Sequence, residues 1–331
     1  MQKSPLLIIG PGAWGTALAL TAARNGNEVR LWGNIREEMQ QIINERENKI
    51  TLPGYKFPDT LIPYMELDDA IDGVRDILIV TPSQAFPRVI AQLKPYHEKN
   101  KLRIAWGTKG LHQETKQLLH TWLLEQMPGI AIAVMAGPSF AEETARECPT
   151  ALNIAYNDKD FCDRLCSTFN NENFGLLPTT DLVGVQLGSV VKNVLAVATG
   201  INDGLQLGSN ARSALMTLGL KGMNKLNLTL GGRAETLSDL AGLGDLVLTC
   251  TDDQSRNRSF GLALGRGLSI DEAFKKVGHT VEGWANVKQL FQLAKDHGVV
   301  TPIIERVYAV LYEGADPKSI THNLIKLISS N

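Results

Sequence analysis

Few local patterns restrict a fold as tightly as a glycine turn set between a strand and a helix, and the chain opens with one. Leu6-Leu7-Ile8-Ile9 is a short apolar run closed by Gly10, and Ala17, Leu18, Leu20, Ala22 and Ala23 then recur at helical spacing. Glu28 to Trp32 supplies a second strand, so strand, turn, helix and strand fit within about 30 residues, the βαβ unit of a parallel sheet. Between them Gly10-Pro11-Gly12-Ala13-Trp14-Gly15 reads GxGxxG. The first glycine allows the tight turn, the second lets backbone approach a pyrophosphate, and the third permits close helix-to-strand packing, with the helix N-terminus facing the anion. This context favours dinucleotide binding over a purely structural turn.

The alternation continues. Ile77–Val80 ends at Thr81-Pro82, Leu102–Trp106 at Gly107-Thr108, and Ala131–Met135 at Ala136-Gly137-Pro138. Open parallel sheets bind ligands at these carboxyl ends. Leu152–Ala155 and Phe174–Leu177 read as two further strands flanking a helix over Asp160–Phe169. After about Asp181 strand signals fade. Helical spacing then runs through Ala211–Leu226, Glu235–Leu248, Ile270–Phe274, Ala285–Lys295 and Pro302–Leu311. At 331 residues the chain exceeds one core, since single cores stop growing at roughly 250 to 300 residues. The expectation is an α/β fold: a Rossmann-type parallel-sheet domain over 1–180, a short linker at Pro178–Asp181, and an all-α substrate-binding domain over 181–331.

Charge excludes some function classes. With 33 basic and 35 acidic residues the chain has no polybasic field for nucleic acid or anionic membrane, so any anion must be held locally. Cys148, Cys162, Cys166 and Cys250 form no CxxC pair, which suits a reducing cytosol; Cys162 and Cys166, at helical spacing, read as packing residues. The N-terminal run is too short for a signal-peptide core, and the expected location is cytoplasmic. His97, His112, His120, His279, His297 and His322 show no metal-ligand spacing, so no metal is expected.

Val185 to Ile201 reads as a buried apolar helix except for Lys192 and Asn193 at its middle. That pair, with Gly184, Gly188 and Gly200, makes a lipid-facing span over Leu182–Ile201 improbable. An ammonium in apolar surroundings loses solvation and its pKa falls, whereas a nearby carboxylate raises it again. A group balanced between these effects can donate and accept a proton near neutrality, as carbonyl reduction requires. The alternative is a lysine that snorkels to the surface. Lys109, in WGTKGL, falls at the ligand-facing sheet edge, and Asp245, in LAGLGDLVLTC, is a second isolated charge in an apolar glycine-rich run. Together they supply a proton donor, a supporting cation and an orienting carboxylate.

In TDDQSRNRSFG, Ser255, Arg256, Asn257 and Arg258 set hydroxyl, guanidinium and amide donors side by side, suited either to phosphate oxygens or to a polar surface loop. Gly137-Pro138-Ser139-Phe140-Ala141 offers a backbone turn, a hydroxyl and a helix start at another strand end. No carboxylate ends the second strand, where one would hold the ribose hydroxyls of NAD; Asn34, Ile35 and Arg36 follow Gly33 instead. NADP(H) is therefore favoured and NAD(H) possible, with Arg36 read either as a 2′-phosphate ligand or as a solvated residue of the next helix.

GPGAWGTALA, WGTKGL, AGPSFAEE, VVKNVLAVATGINDGL and LAGLGDLVLTC followed by SRNRSFG stand in this order over residues 6 to 310. In these motifs the chain resembles bacterial NAD(P)-dependent glycerol-3-phosphate dehydrogenase. The resemblance implies reversible hydride transfer at C2 of dihydroxyacetone phosphate, giving sn-glycerol 3-phosphate for glycerophospholipid synthesis. It implies Lys192 as general acid and base, with Lys109 contacting cofactor and substrate and Asp245 and Asn193 near the substrate. It implies Ser255, Arg256 and Asn257 at the substrate phosphate, helped by Gly137 and Ser139. It places the cofactor on Gly10, Gly12, Ala13, Trp14 and Gly15, on Asn34, Arg36, Lys109, Ala141 and Arg256, and on Val281 and Glu282 of HTVEGW. Relatives carry arginine or histidine where Asn34 stands, which leaves a 2′-phosphate to Arg36. The resemblance also suggests a homodimer, with no nucleic acid and no membrane span among its partners.

Overall fold

The structure is a computed structural model that describes residues 4–278 and 281–321. The chain divides into two compact units, 1–112 with 119–182, and 113–118 with 183–331. Each is taken by itself.

The first unit is built on an eight-stranded sheet: β1 (Leu6–Ile9), β2 (Val29–Trp32), β3 (Leu61–Tyr64), β4 (Asp76–Ile79), β5 (Arg103–Trp106), β6 (Ile132–Ala136), β7 (Thr150–Tyr156) and β8 (Phe174–Thr179). Their spatial order is β3-β2-β1-β4-β5-β6-β7-β8. The first six reproduce the doubly wound order, in which the chain reverses direction across the sheet between β1 and β4 and opens a crevice at their carboxyl ends. Leu7, Ile8, Ile77, Leu78 and Ile104 are wholly buried, as expected of strands covered by helices on both faces.

Two features of the sheet depart from the sequence expectation. β3 was not anticipated because Pro63 breaks its pattern; it is tolerated because β3 pairs only with β2, at the sheet edge. The sheet is also not wholly parallel, since β7 runs antiparallel to β6 while β8 is parallel to β7. The helix between β6 and β7, Ala141–Ala145, has five residues and spans about 7.5 Å, too short to return the chain along a strand. It packs on helix Ala13–Arg24 instead, where Arg24 Nη1 donates to the Ala145 carbonyl at 2.7 Å.

In the second unit one long apolar helix, Leu182–Gly204, is buried along most of its length and is met by residues of helices Gly208–Thr229, Asp245–Thr251, Arg256–Gly265 and Glu282–Asp296. It is the one described helix long and apolar enough to cross a bilayer, and 89% of its apolar window is buried within the protein. Its glycines explain themselves by packing. A Cβ on Gly200 would lie 2.1 Å from the Arg258 carbonyl oxygen, and one on Gly261 would lie 2.1 Å from that of Val197. Helix Arg256–Gly265 therefore meets Leu182–Gly204 backbone against backbone. The contacts step in register: Asn193 meets Asn257, Val197 meets Gly261 and Ile201 meets Gly265.

The expected helix Glu235–Leu248 is broken into a tight turn at Ala234–Ser238, a wide π-type turn at Leu240–Gly244, and a helix from Asp245 to Thr251. Asp239 enforces the break, its side chain accepting from the Leu240 amide at 2.7 Å. Gly242 permits it, because a Cβ there would lie 2.2 Å from the Leu237 carbonyl oxygen. The SRNR segment, read as a loop or phosphate cradle, turns out to start a helix.

Candidate active site

The three glycines of the first turn are used differently. Gly10 has φ +109° and a Cβ on it would meet the Val80 carbonyl oxygen at 2.7 Å, so β1 and β4 close on the turn itself. Gly15 carries the helix against the strand, with only 2.0 Å between a hypothetical Cβ and the Gly10 oxygen. Gly12 has nothing of the protein within 4 Å of its Cβ position. It stands at the N-cap position of helix Ala13–Arg24 with no side chain to satisfy the first amides, and the first turn carries no acidic residue. Open space before an uncapped helix N-terminus suits a pyrophosphate, so the residues present fit a dinucleotide.

Around this turn, Trp14 approaches β5, its Nε1 lying 3.1 Å from where a Gly107 Cβ would stand. Lys109 follows at the carboxyl end of β5, half-buried. The Ser139 hydroxyl donates to the Gly137 carbonyl at 3.0 Å, turning back on its own loop, and Ala141 begins the short helix after it. Asn34 and Arg36 are exposed just past β2, and Arg36 Nη1 sits 2.6 Å from Glu66 Oε1. The Arg36 guanidinium thus already has a carboxylate partner, which weakens its claim on a 2′-phosphate.

In the second unit the lysine is not a snorkelling one. Lys192 is 6% exposed and its Nζ donates to Asp245 Oδ1; Asp245 is wholly buried. The broken segment explains their meeting. The Leu240–Gly244 turn backs onto Gly188, whose Cβ would be 2.4 Å from the Ala241 oxygen, and one helical turn beyond Gly188 comes Lys192. Asp245, first residue of its helix, is thereby aimed at it, where the helix N-terminus also favours an acid. Thr249 donates to the same Oδ1 at 3.3 Å, while Oδ2 has no hydrogen-bond partner among the described residues. A buried carboxylate oxygen left unsatisfied is costly unless a ligand hydroxyl completes it.

Asn193, next along the helix, faces elsewhere. Its Nδ2 donates to Asn286 Oδ1 at 3.0 Å and to Glu282 Oε2 at 3.2 Å, and its Oδ1 accepts from Asn257 Nδ2 at 2.9 Å. Asn257 Oδ1 in turn accepts from the Gly283 amide at 2.8 Å. Val281 caps helix Glu282–Asp296 and is buried. The hydrogen bond between Asn193 and Asn257 ties the residue after Lys192 to the residue after Arg256.

The two arginines of SRNR, alike in sequence, separate in the structure. Arg258 is buried and structural: its guanidinium contacts Asp203 Oδ2 at 2.7 Å and Asp253. Burial pushes the Asp203 carboxyl up, but hydrogen bonds from Arg212, Asn202 and Arg258 together hold it below its ordinary value. Arg256 is exposed at the first position of its helix, and Ser255 caps that helix, accepting from the Arg258 amide at 3.2 Å. Cys250, buried in the same unit, has its thiol pushed up to about 12, chiefly by burial.

The comparisons with known proteins agree with this layout. The sequence profile of the NAD-dependent glycerol-3-phosphate dehydrogenase N-terminus matches residues 5–162, and that of its C-terminus matches 181–322. The chain belongs to this family. It is 46% identical to the glycerol-3-phosphate dehydrogenase [NAD(P)+] of Coxiella burnetii strain RSA 331 over 324 residues, 98% of this chain and 97% of the relative. It is 45% identical to the enzyme of that name from Vibrio cholerae strain O395, over 97% of this chain and 93% of the relative. A crystal structure of the Coxiella burnetii glycerol-3-phosphate dehydrogenase superposes with a TM-score of 0.94 at 46% identity, covering 98% of this chain and 100% of that one. The family resemblance seen in the motifs and the expected fold class, Rossmann-type sheet then helical domain, both hold.

Three residues escaped the sequence reading. Thr249 lies four residues beyond Asp245, a helical spacing that could have revealed it. Asn286 stands in the same relation to Glu282. Asn48 carries no local signal, yet its Nδ2 holds the Pro11 carbonyl at 2.5 Å and the Thr16 hydroxyl at 2.9 Å, bracing the glycine turn from a distant loop. Of the histidines, His279 and His322 lie outside the described residues.

Proposed function

We propose that this chain reduces dihydroxyacetone phosphate to sn-glycerol 3-phosphate, reversibly, as its family does. When bound, a nicotinamide dinucleotide supplies the hydride that converts the C2 carbonyl to an alcohol. Gly10, Gly12 and Gly15 shape the turn that would receive its pyrophosphate, with Ala13, Trp14, Lys109 and Ala141 around that sheet edge. Lys192 carries the proton: its ammonium donates to the forming alkoxide and its amine takes the proton back in the oxidative direction. Asp245 aims that ammonium through Oδ1 and offers Oδ2 to a substrate hydroxyl. Arg256, with the N-terminus of its helix and the Asn257 side chain, receives the phosphate.

The observation that carries this reading is the buried Lys192–Asp245 pair whose second carboxylate oxygen has no hydrogen-bond partner among the described residues. An unmet carboxylate oxygen beside an ammonium is what a substrate hydroxyl would complete. Preference for NADP(H) rests on the lack of a carboxylate after β2, and Arg36 would have to leave Glu66 to serve it. Residues 1–180 are read as the cofactor domain and 181–331 as the substrate domain. A cytoplasmic homodimer feeding glycerophospholipid synthesis completes the reading on family likeness. The test is the loss of reduced-nicotinamide absorbance on adding dihydroxyacetone phosphate, run with NADPH and with NADH. Rapid oxidation is expected. Binding of dinucleotide without any oxidation would refute the reading and leave a nucleotide sensor.

A further inference from the structure

We propose that Asn286 is a positioning residue for anion recognition: it locks the Asn193 and Asn257 amides in one orientation, so that Asn257 offers an N–H rather than a carbonyl oxygen to the substrate phosphate. The inference rests on the reading that Arg256 and Asn257 receive that phosphate.

A side-chain amide has two chemically opposite ends and, alone, no means of choosing which to present. Here the choice is made from both directions. Carboxylate Glu282 can only accept, so Asn193 must turn its nitrogen toward it, and the same nitrogen gives its other hydrogen to Asn286 Oδ1. Asn193 Oδ1 is left to face Asn257, which must answer with Nδ2. The Gly283 backbone amide can only donate, so it claims Asn257 Oδ1. Glu282 and Gly283 are consecutive, and the hydrogen bonds close into a ring in which every polarity agrees. One hydrogen of Asn257 Nδ2 has no partner among the described residues, and that hydrogen is what an anion requires.

Within the ring the two acceptors for Asn193 differ. Glu282 is half-buried at the helix start, where water can compete, and its contact is the longer at 3.2 Å. Asn286 is 2% exposed, one turn deeper, and bonds at 3.0 Å. Its own orientation is held by donating to Gln289 Oε1 at 3.3 Å. Gly283 allows the close approach, since a Cβ there would be 2.8 Å from Asn257 Oδ1 and 2.9 Å from the Asn193 carbonyl oxygen. Loss of Asn286 removes the buried acceptor and leaves Asn193 held only by the half-buried Glu282, so the Asn193 oxygen is presented to Asn257 less of the time and Asn257 keeps Gly283 as its one fixed partner.

The test compares dihydroxyacetone phosphate with dihydroxyacetone, which lacks only the phosphate. In Asn286→Leu, kcat/KM for the phosphorylated substrate should fall about tenfold, mainly through KM, as one hydrogen bond's worth of orientation is lost. The value for dihydroxyacetone should not change. Equal falls for both substrates would make Asn286 merely structural, and no fall for either would also overturn the proposal. If the leucine variant does not fold, Asn286→Ser removes the reach of the side chain without adding apolar bulk, and the same two outcomes apply. A wild-type protein unable to reduce dihydroxyacetone phosphate would defeat the functional reading first, which separates the two failures.

Discussion

Replacing Lys192 by methionine separates what the buried pair does for the fold from what it does for chemistry. Methionine keeps the length of the side chain and removes the charge, leaving the wholly buried Asp245 with Thr249 as its one partner among the described residues. For unit charges about 3 Å apart at an effective dielectric of ~20, the lost attraction is about 5 kcal/mol. Burying the methionine returns about 1 to 2 kcal/mol. The net loss should be about 3 to 4 kcal/mol, in the range for breaking a buried pair by removing one partner. Lys192→Met/Asp245→Leu, which removes both charges, should lie within about 1 kcal/mol of the wild type, because an apolar replacement of a buried pair is often neutral. Urea denaturation of the three proteins, followed by circular dichroism, measures these differences. Activity should behave otherwise: both variants lose turnover while dinucleotide affinity stays within a few-fold. A single variant as stable as the wild type would show the pair to be solvated and would remove the physical argument for its role; retained turnover would remove Lys192 from the mechanism.

The other predictions concern separate regions. Asp203, held below its ordinary pKa, contributes stability that is fully present above about pH 4 and lost as the pH falls through its lowered folded-state value. Asp203→Asn should therefore cost about 3 kcal/mol at neutral pH and flatten the acid limb of a stability–pH curve; an unchanged acid limb would rule out this linkage. Gly12→Ala should leave stability within about 0.5 kcal/mol and weaken dinucleotide binding at least several-fold, whereas Gly15→Ala, with its Cβ 2.0 Å from the Gly10 oxygen, should cost about 3 kcal/mol. Thermal melts and titration with the reduced dinucleotide would expose a reversal of that order. Cys250 should resist alkylation at pH 8 in the folded protein and react only on unfolding, as mass spectrometry of the labelled peptide would show.

Much of the fold was legible because it is written in short-range patterns. The glycine turn and β1, β2, β4, β5 and β6 could be placed from apolar runs closed by turn residues. β3 could not, since its proline is acceptable only at a sheet edge, and an edge is a property of the assembled sheet. The reversal at β7 was hidden for a related reason: it depends on where the five-residue helix docks. In the second unit, Lys192 and Asp245 stood out as isolated charges in apolar runs, which is the signature of a buried polar contact. That Asp245 would serve as the orienting carboxylate was legible, but the route by which it reaches Lys192 was not, because it comes from a π-type turn set by Asp239 and Gly242. Arg256 and Arg258 show the limit most plainly, for nothing local distinguishes the arginine that faces solvent from the one that closes on Asp203 and Asp253.

The glycine seam between helices Leu182–Gly204 and Arg256–Gly265 has a consequence for how such a site can vary. Where side chains separate two helices, every change of side chain alters the spacing. Here main-chain atoms set it, with a Cβ at Gly265 only 2.3 Å from the Ile201 carbonyl oxygen. Lys192 and Arg256 sit at the leading ends of this contact, so their separation is gauged by atoms that no substitution of size or shape can replace. The surrounding core is free to drift in sequence while the span from Lys192 to Arg256 stays calibrated, and any change in that span would have to begin by breaking the seam.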